Sequence, residues 1–196
     1  MNVAIISCSS RANSQSARIS EHLNQHYFSG QARILDLHTL DLPIWNGTGF
    51  KDPRVLEARE TLAAADAFIF VVPEWNGMAP AAAKNLLLWC NSQQLGHKPS
   101  LLVAISAGQG GAFVIDEMRS SGYKNARLLY LPEHLILRDV EQLWLAQPEP
   151  AQEKSNAYLA GRTAYCIEML KSYTLALSPV RPALMAGLEE HPNGMS

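Results

Sequence analysis

The sequence predicts an α/β domain in which a parallel sheet carries helices on both faces. Short runs of Val, Ile, Leu and Phe, each closed by a turn, have the composition of strands buried on both sides. They alternate with segments of helical periodicity in the order β-α-β-α-β-α. The loops rich in Ser, Gly, Asn and Pro follow strands, which is where such sheets bind ligands. A length of 196 residues fits one such domain with a core that needs neither disulfide nor metal.

Residues 2–7 read as the first buried strand, and 14–27 as a helix because Ile19, Leu23 and Tyr27 repeat every four residues on one face. Between them lies SCSSRANSQS. Free amides at a helix start, hydroxyl donors and an arginine fork converge there, the requirements for holding a phosphate. Ser9, Arg11, Ser14 and Ser16, with Gln15 between them, are the candidates. The same residues would also make a plain helix start, with Ser14 as cap and Arg11 in solvent.

Residues 32–37 form a second strand, and the loop LHTLDLPIWNGTGFKD after it is long enough to cover part of a ligand site. Asp52 and Pro53 supply an N-cap and a first-turn proline for a helix through Ala65, with Val55, Arg59 and Leu62 on one side. The apolar run 67–72 is closed by Pro73. In PEWNGMAP, Pro73 and Pro80 stiffen the ends, Asn76-Gly77 permits positive φ, and Trp75 offers a flat apolar face. Pro80 at the first helical position leaves the amides of 76–78 free, so the loop suits a planar heteroaromatic ligand. An ordinary β-to-α loop is the plainer alternative. AAAKNLLLW then has good helix propensity.

Residues 100–106 are a fourth strand, followed by SAGQGGAF. GQGG lacks the full G-x-G-x-x-G spacing and follows the fourth strand rather than the first, which excludes a Rossmann dinucleotide fingerprint. Gly108, Gly110 and Gly111 would also suit a flexible turn. Residues 127–131 make a fifth strand, and PEHLILRDVEQLW alternates too loosely to assign, either extending the sheet or lining the substrate side. The long helix 154–177 carries Leu159, Thr163, Cys166, Leu170, Tyr173 and Leu177 as a core stripe, ended by Pro179. Beyond it no periodicity is visible, and mobility is expected at the last residues.

A net charge of −2 and a pI near 6.3, with no basic run, give no footprint for nucleic acid. No targeting segment or apolar stretch of membrane-spanning length is seen, so no membrane partner and a cytoplasmic location are expected. Cys8, Cys90 and Cys166 are odd in number and outside ligand spacing, which supports neither a disulfide framework nor a zinc site.

Two loops carry a resemblance. SCSSRANSQS is similar to the phosphate loop of the NADPH-dependent FMN reductase family, G-S-x-R-x-x-S-x-N, keeping Ser9, Arg11 and Ser14 but with Cys8 for glycine and Ser16 for asparagine. PEWNGMAPAAAKN resembles that family's isoalloxazine loop, P-E-Y-N-G-x-x-P-x-x-L-K-N, through Pro73, Glu74, Asn76, Gly77, Pro80, Lys84 and Asn85, with Trp75 for tyrosine and Ala83 for leucine. Ser106, Gly108, Gly110 and Gly111 resemble its third flavin-contacting loop, where small residues let backbone approach the ring edge.

The resemblance implies a flavodoxin-like three-layer sandwich with a five-stranded parallel sheet of order 2-1-3-4-5. Residues 1–178 would be the FMN-binding domain and 179–196 a partly mobile tail. It further implies non-covalent FMN and electron transfer from NAD(P)H to a flavin, quinone or other small acceptor. No catalytic side chain is implied, and one open flavin face implies a ping-pong cycle. A homodimer or homotetramer is implied as well, in keeping with Trp45 and Phe50 in the long loop. The alternative is a flavin-binding electron carrier or redox sensor without turnover. At Cys8 three outcomes are open: a small buried group, a strained positive-φ residue, or a thiol activated by the helix start.

Overall fold

The computed structural model describes residues 1–191. The strands are β1 (Val3–Ser7), β2 (Arg33–Asp36), β3 (Ala67–Pro73), β4 (Pro99–Ile105) and β5 (Leu129–Leu137). All pair in parallel in the order β2-β1-β3-β4-β5. The helices are α1 (Gln15–Phe28), α2 (Leu37–Leu40), α3 (Pro53–Ala64), α4 (Ala81–Trp89), α5 (Ser92–Leu95), α6 (Ala112–Ser120), α7 (Glu153–Leu177) and α8 (Arg181–Ala186). The predicted sandwich and strand order are thus the observed ones.

Strand alternation divides the interior into two cores. Phe68, Phe70 and Val72 of β3 and Leu102 and Ala104 of β4 face α3, α4 and α6 through Leu62, Leu86 and Met118. Ile69, Val71, Leu101 and Val103 face α1 and α7 through Ile19, Leu23, Cys166 and Leu170. Central strands buried on both faces are the signature of parallel sheets. The chain reverses its direction of sheet growth at β1 and β3, which opens a crevice beyond their carboxyl ends.

At three elements the structure decides or corrects what the sequence left open or assigned differently. The fifth strand runs on to Leu137, because its register passes from Ser100↔Tyr130 to Leu102↔His134 and the two extra residues bulge around Pro132. Arg119 Nη2 donates to the freed carbonyls of Leu131 and Pro132 at 2.6 and 3.1 Å. On α7 the buried stripe passes through Ile167 and Thr174 rather than Tyr173, which is exposed. Over 25 residues a 3.6-residue period drifts away from a strict heptad spacing. The tail contains α8, opened by Pro182 in its first turn, and a 3₁₀ turn over Gly187–Glu189. The expected mobility of the last residues falls on 192–196, outside the described residues.

The long loop after β2 packs on α4. Asn85 Nδ2 and Trp89 Nε1 donate to Pro43 O at 2.9 and 2.8 Å, and Asn85 Oδ1 accepts from Trp45 N at 2.8 Å. Phe50 meets Trp89 edge-on at 5.3 Å with the Arg59 guanidinium over its face.

After β5, the segment from Val140 to Trp144 is bound to α1. Arg18 Nη2 and Nη1 donate to Val140 O and Leu143 O at 2.5 and 2.9 Å, and His22 stacks on Trp144 with ring centroids 4.3 Å apart. Burial first, then the neighbouring His26 and Arg18, pushes the His22 pKa down to about 4. Its neutral form is therefore favoured in the folded chain. The resulting stability is present above pH 6.5 and is lost as pH falls from 6.5 towards 4. The melting temperature is expected to drop across that window. His22→Phe, which keeps a ring on Trp144, is expected to flatten the drop, and an equal slope in that variant would refute the assignment.

Candidate functional site

The loop from Cys8 to Ser14 is built around its serines. Ser9 Oγ accepts from Arg11 N, and Ser14 caps α1 by accepting from Ala17 N, each at 3.1 Å. Each hydroxyl serves the backbone as acceptor and keeps its O–H to donate. Ser16 Oγ is buried and makes no hydrogen bond among the described residues. First-turn amides of α1 have no carbonyl of the helix to pair with. The Arg11 side chain is exposed and has no partner among the described residues. Donors with free O–H and N–H groups at the positive end of a 14-residue helix are what a phosphate needs. The capping role and the phosphate role are compatible.

Cys8 is fully buried, donates from Sγ to Ile6 O at 3.6 Å, and continues the strand through Cys8 N to Val71 O at 3.0 Å. It is absent from the positive-φ residues, so glycine is not required there. Burial, and secondarily Asp36, pushes its thiol pKa well up, opposite to activation. The small-buried-group outcome is the one observed. Cys8→Gly is therefore expected to change FMN affinity by less than about tenfold, and thiol modification of the native protein is expected to be slow. Rapid alkylation that FMN blocks would contradict this.

The β3–α4 loop closes on itself. Trp75 N and Met78 N donate to Met78 O and Trp75 O at 3.0 and 2.9 Å, with Asn76 at φ 52° and Gly77 at φ 71°. Positive φ at both central residues defines a type I′ turn, which Asn-Gly adopts readily. The Met78 amide, expected free, is thereby used within the turn, leaving those of Asn76 and Gly77. Pro80 is the N-cap rather than the first helical residue. Lys84 pairs with Glu117 of α6, so this motif lysine points away from any ligand role, and Asn85 holds the long loop as described.

These loops meet at the crevice over β1 and β3, around a cavity of about 310 Å³. Ser9, Arg11, Ser14, Gln15, Ser16, Pro73, Glu74, Trp75 and Ser106 line it. Asn76, Gly77, Gly108, Gly110 and Gly111 lie outside its wall, and so does the long loop after β2, which the sequence reading assigned to cover a site. Val140 and Glu141, from the stretch the sequence left open between sheet and site, line it as well, together with Ala12, Asn13, Ile105 and Ala107. Val140 N donates to Ser106 O at 3.1 Å, a contact between segments that share no sequence signal. A phosphate cradle on one side and a half-buried indole on the other fit FMN.

Fold and site together define a doubly wound α/β protein in which a hydroxyl-rich helix start shares a cavity with an aromatic turn at the topological switch point. The family model for NADPH-dependent FMN reductase matches residues 1–142, and the chain belongs to that family. It is 30% identical over 99 residues to the NADH-dependent flavin reductase subunit 2 of Lactobacillus johnsonii, covering 47% of this chain and 54% of that protein. It is also 30% identical over 100 residues to an NAD(P)H-dependent FMN reductase of Pseudomonas aeruginosa, covering 47% and 51%. The alignments thus span about half the length of these curated relatives. Among solved structures, the flavoenzyme NAD(P)H:(acceptor) oxidoreductase FerB from Paracoccus denitrificans superposes with a TM-score of 0.63 at 22% identity, covering 91% of this chain and 97% of that one. An NADH:FMN oxidoreductase in its apo form gives 0.67 at 17%, covering 90% and 89%. At these identities the likeness speaks for the fold.

Proposed function

We propose that the protein is an FMN-dependent oxidoreductase that passes electrons from NAD(P)H to a flavin, quinone or other small acceptor. The observation that carries this is one cavity joining the Ser9–Arg11–Ser14 cradle to the Trp75 turn at the β1/β3 switch point. Arg11, the hydroxyls of Ser9, Ser14 and Ser16, and the first-turn amides of α1 would hold the terminal phosphate, with Gln15 beside them. Pro73, Trp75, Asn76 and Gly77 would face the ring, with Ser106 and Gly108 closing the third side. Bound FMN supplies the redox chemistry, accepting a hydride from the nicotinamide and releasing electrons to the acceptor. The protein's part is to anchor the phosphate, shape an apolar wall and leave one face open to donor and acceptor in turn.

Steady-state oxidation of NADH and NADPH with flavin and quinone acceptors tests the reading. Turnover with parallel double-reciprocal lines is expected. A protein that holds FMN and turns over negligibly would be a carrier or sensor instead. Residues 1–178 carry the function in this reading. A homodimer or homotetramer is part of the proposal, supported by the exposed apolar side chains of Ile44 in the long loop after β2 and Phe113 on α6, 84% and 70% exposed. Light scattering that reports a monomer would remove it. A cytoplasmic location completes the proposal; Cys8, Cys90 and Cys166 are free, as a reducing compartment allows. Among the described residues no helix is long and apolar enough to cross a membrane.

A further inference from the structure

Two glycines of the third loop are small for a reason internal to the protein. A Cβ at Gly110 would stand 2.5 Å from Glu74 Oε1, and one at Gly111 would stand 2.5 Å from Ile136 Cγ2. The other carboxylate oxygen of Glu74 accepts from Gly111 N at 2.7 Å. Gly111 is the N-cap of α6, so this amide heads a helix that offers it no carbonyl. At the far end of the same β3–α4 loop, Ala79 N donates to Glu117 Oε2 at 2.5 Å, and Lys84 pairs with the second oxygen of Glu117. The Ala79 amide and then the Lys84 ammonium hold the Glu117 carboxyl below its usual range. Midway, Phe113 of α6 lies beside Gly77, its Cδ2 3.7 Å from where a Cβ would be. The turn that presents Trp75, Asn76 and Gly77 is thus flanked by two carboxylate-to-amide bonds to the α6 region, at Glu74 before it and at Ala79 after it.

We propose that Glu74 is a positioning residue of the flavin site. Its carboxylate latches the β3–α4 loop to the head of α6, Glu117 closes the other end, and Gly110 is glycine because that carboxylate occupies the space of its side chain. This inference rests on the proposed FMN site for its functional meaning, and its structural half is testable without FMN. A charge-assisted bond to a backbone amide fixes loop geometry more firmly than a neutral one, and a planar ligand is sensitive to that geometry.

Amide exchange of the FMN-free protein reads the latch itself. Glu74→Ala is expected to speed exchange of the Gly111 amide about tenfold or more, while Glu74→Gln, whose amide oxygen can still accept, retains protection. Glu74→Asp keeps the charge but withdraws the oxygens by one methylene, and is expected to behave as Glu74→Ala. Should Glu74→Ala fail to fold, Gln against Asp carries the comparison. Unchanged Gly111 exchange in both Ala and Asp variants would overturn the latch.

FMN titration by fluorescence quenching then reads the positioning role. Gly110 does not have positive φ, so alanine there adds a methyl group without backbone strain. Gly110→Ala is expected to weaken FMN about tenfold in the wild-type background and by less than about twofold beside Glu74→Ala or Glu74→Asp, where the 2.5 Å clash is gone and only Ser106 Oγ, a hydroxyl that can rotate away, stays at 3.1 Å. Equal losses in both backgrounds would mean that the glycine is small for the ligand, and would overturn the proposal. A wild-type chain that takes up no FMN would instead remove the functional reading, with the exchange result still deciding the latch.

Discussion

Replacing Arg11 with alanine is expected to weaken FMN binding about tenfold to a hundredfold and to leave riboflavin binding nearly unchanged. The guanidinium lines the cavity, is exposed, and is committed to nothing else among the described residues. A charge-assisted hydrogen bond to phosphate contributes about 1.5 to 3 kcal/mol, which is that range of affinity. Because the side chain is exposed and no hydrogen bond or ion pair holds it among the described residues, the fold should change in stability by no more than about 0.5 kcal/mol. Parallel titrations of FMN and riboflavin into both proteins check this. Equal loss for the two ligands would place Arg11 against the ring or outside the site.

Gly111→Ala is expected to cost about 2 to 4 kcal/mol of stability, the combined scale of positive-φ strain and a crowded core contact. Gly111 has φ 106°, a conformation L side chains rarely adopt, and an added Cβ would meet Ile136 Cγ2 at 2.5 Å. Gly108→Ala is the matched control. Nothing lies within 4 Å of its Cβ position and its φ is not positive, so a change within about 0.5 kcal/mol is expected. Urea unfolding midpoints at constant slope compare the two. Similar losses at both glycines would contradict the geometry of the α6 start.

Much of this architecture was legible because the central strands are apolar on both faces and their spacing by helical segments admits few topologies. The type I′ turn was foreshadowed by Asn76-Gly77, since few other dipeptides populate positive φ twice at little cost. What escaped the sequence is non-local. For Val140 and Glu141 the sequence left the choice between sheet and site open, and it is decided by Arg18, 122 residues before Val140 and 125 before Leu143, which holds their segment on α1. Glu74 carries a motif position whose partner, Gly111, lies 37 residues on. Lys84 and Asn85 belong to the flavin-loop motif yet serve α6 and the long loop, a division of labour that a linear motif does not display. The run of β5 past Pro132 stayed one of two alternatives because the alternation there is loose, and what allows it is an arginine from α6 that satisfies the carbonyls of the bulge.

If this cavity holds FMN, the flavin content of the purified chain shows it most directly. The expected result is a yellow protein, or one that becomes so when incubated with FMN, that releases close to one equivalent of FMN per chain on denaturation. A chain that folds, takes up no FMN from excess and shows no quenching of its fluorescence would contradict it.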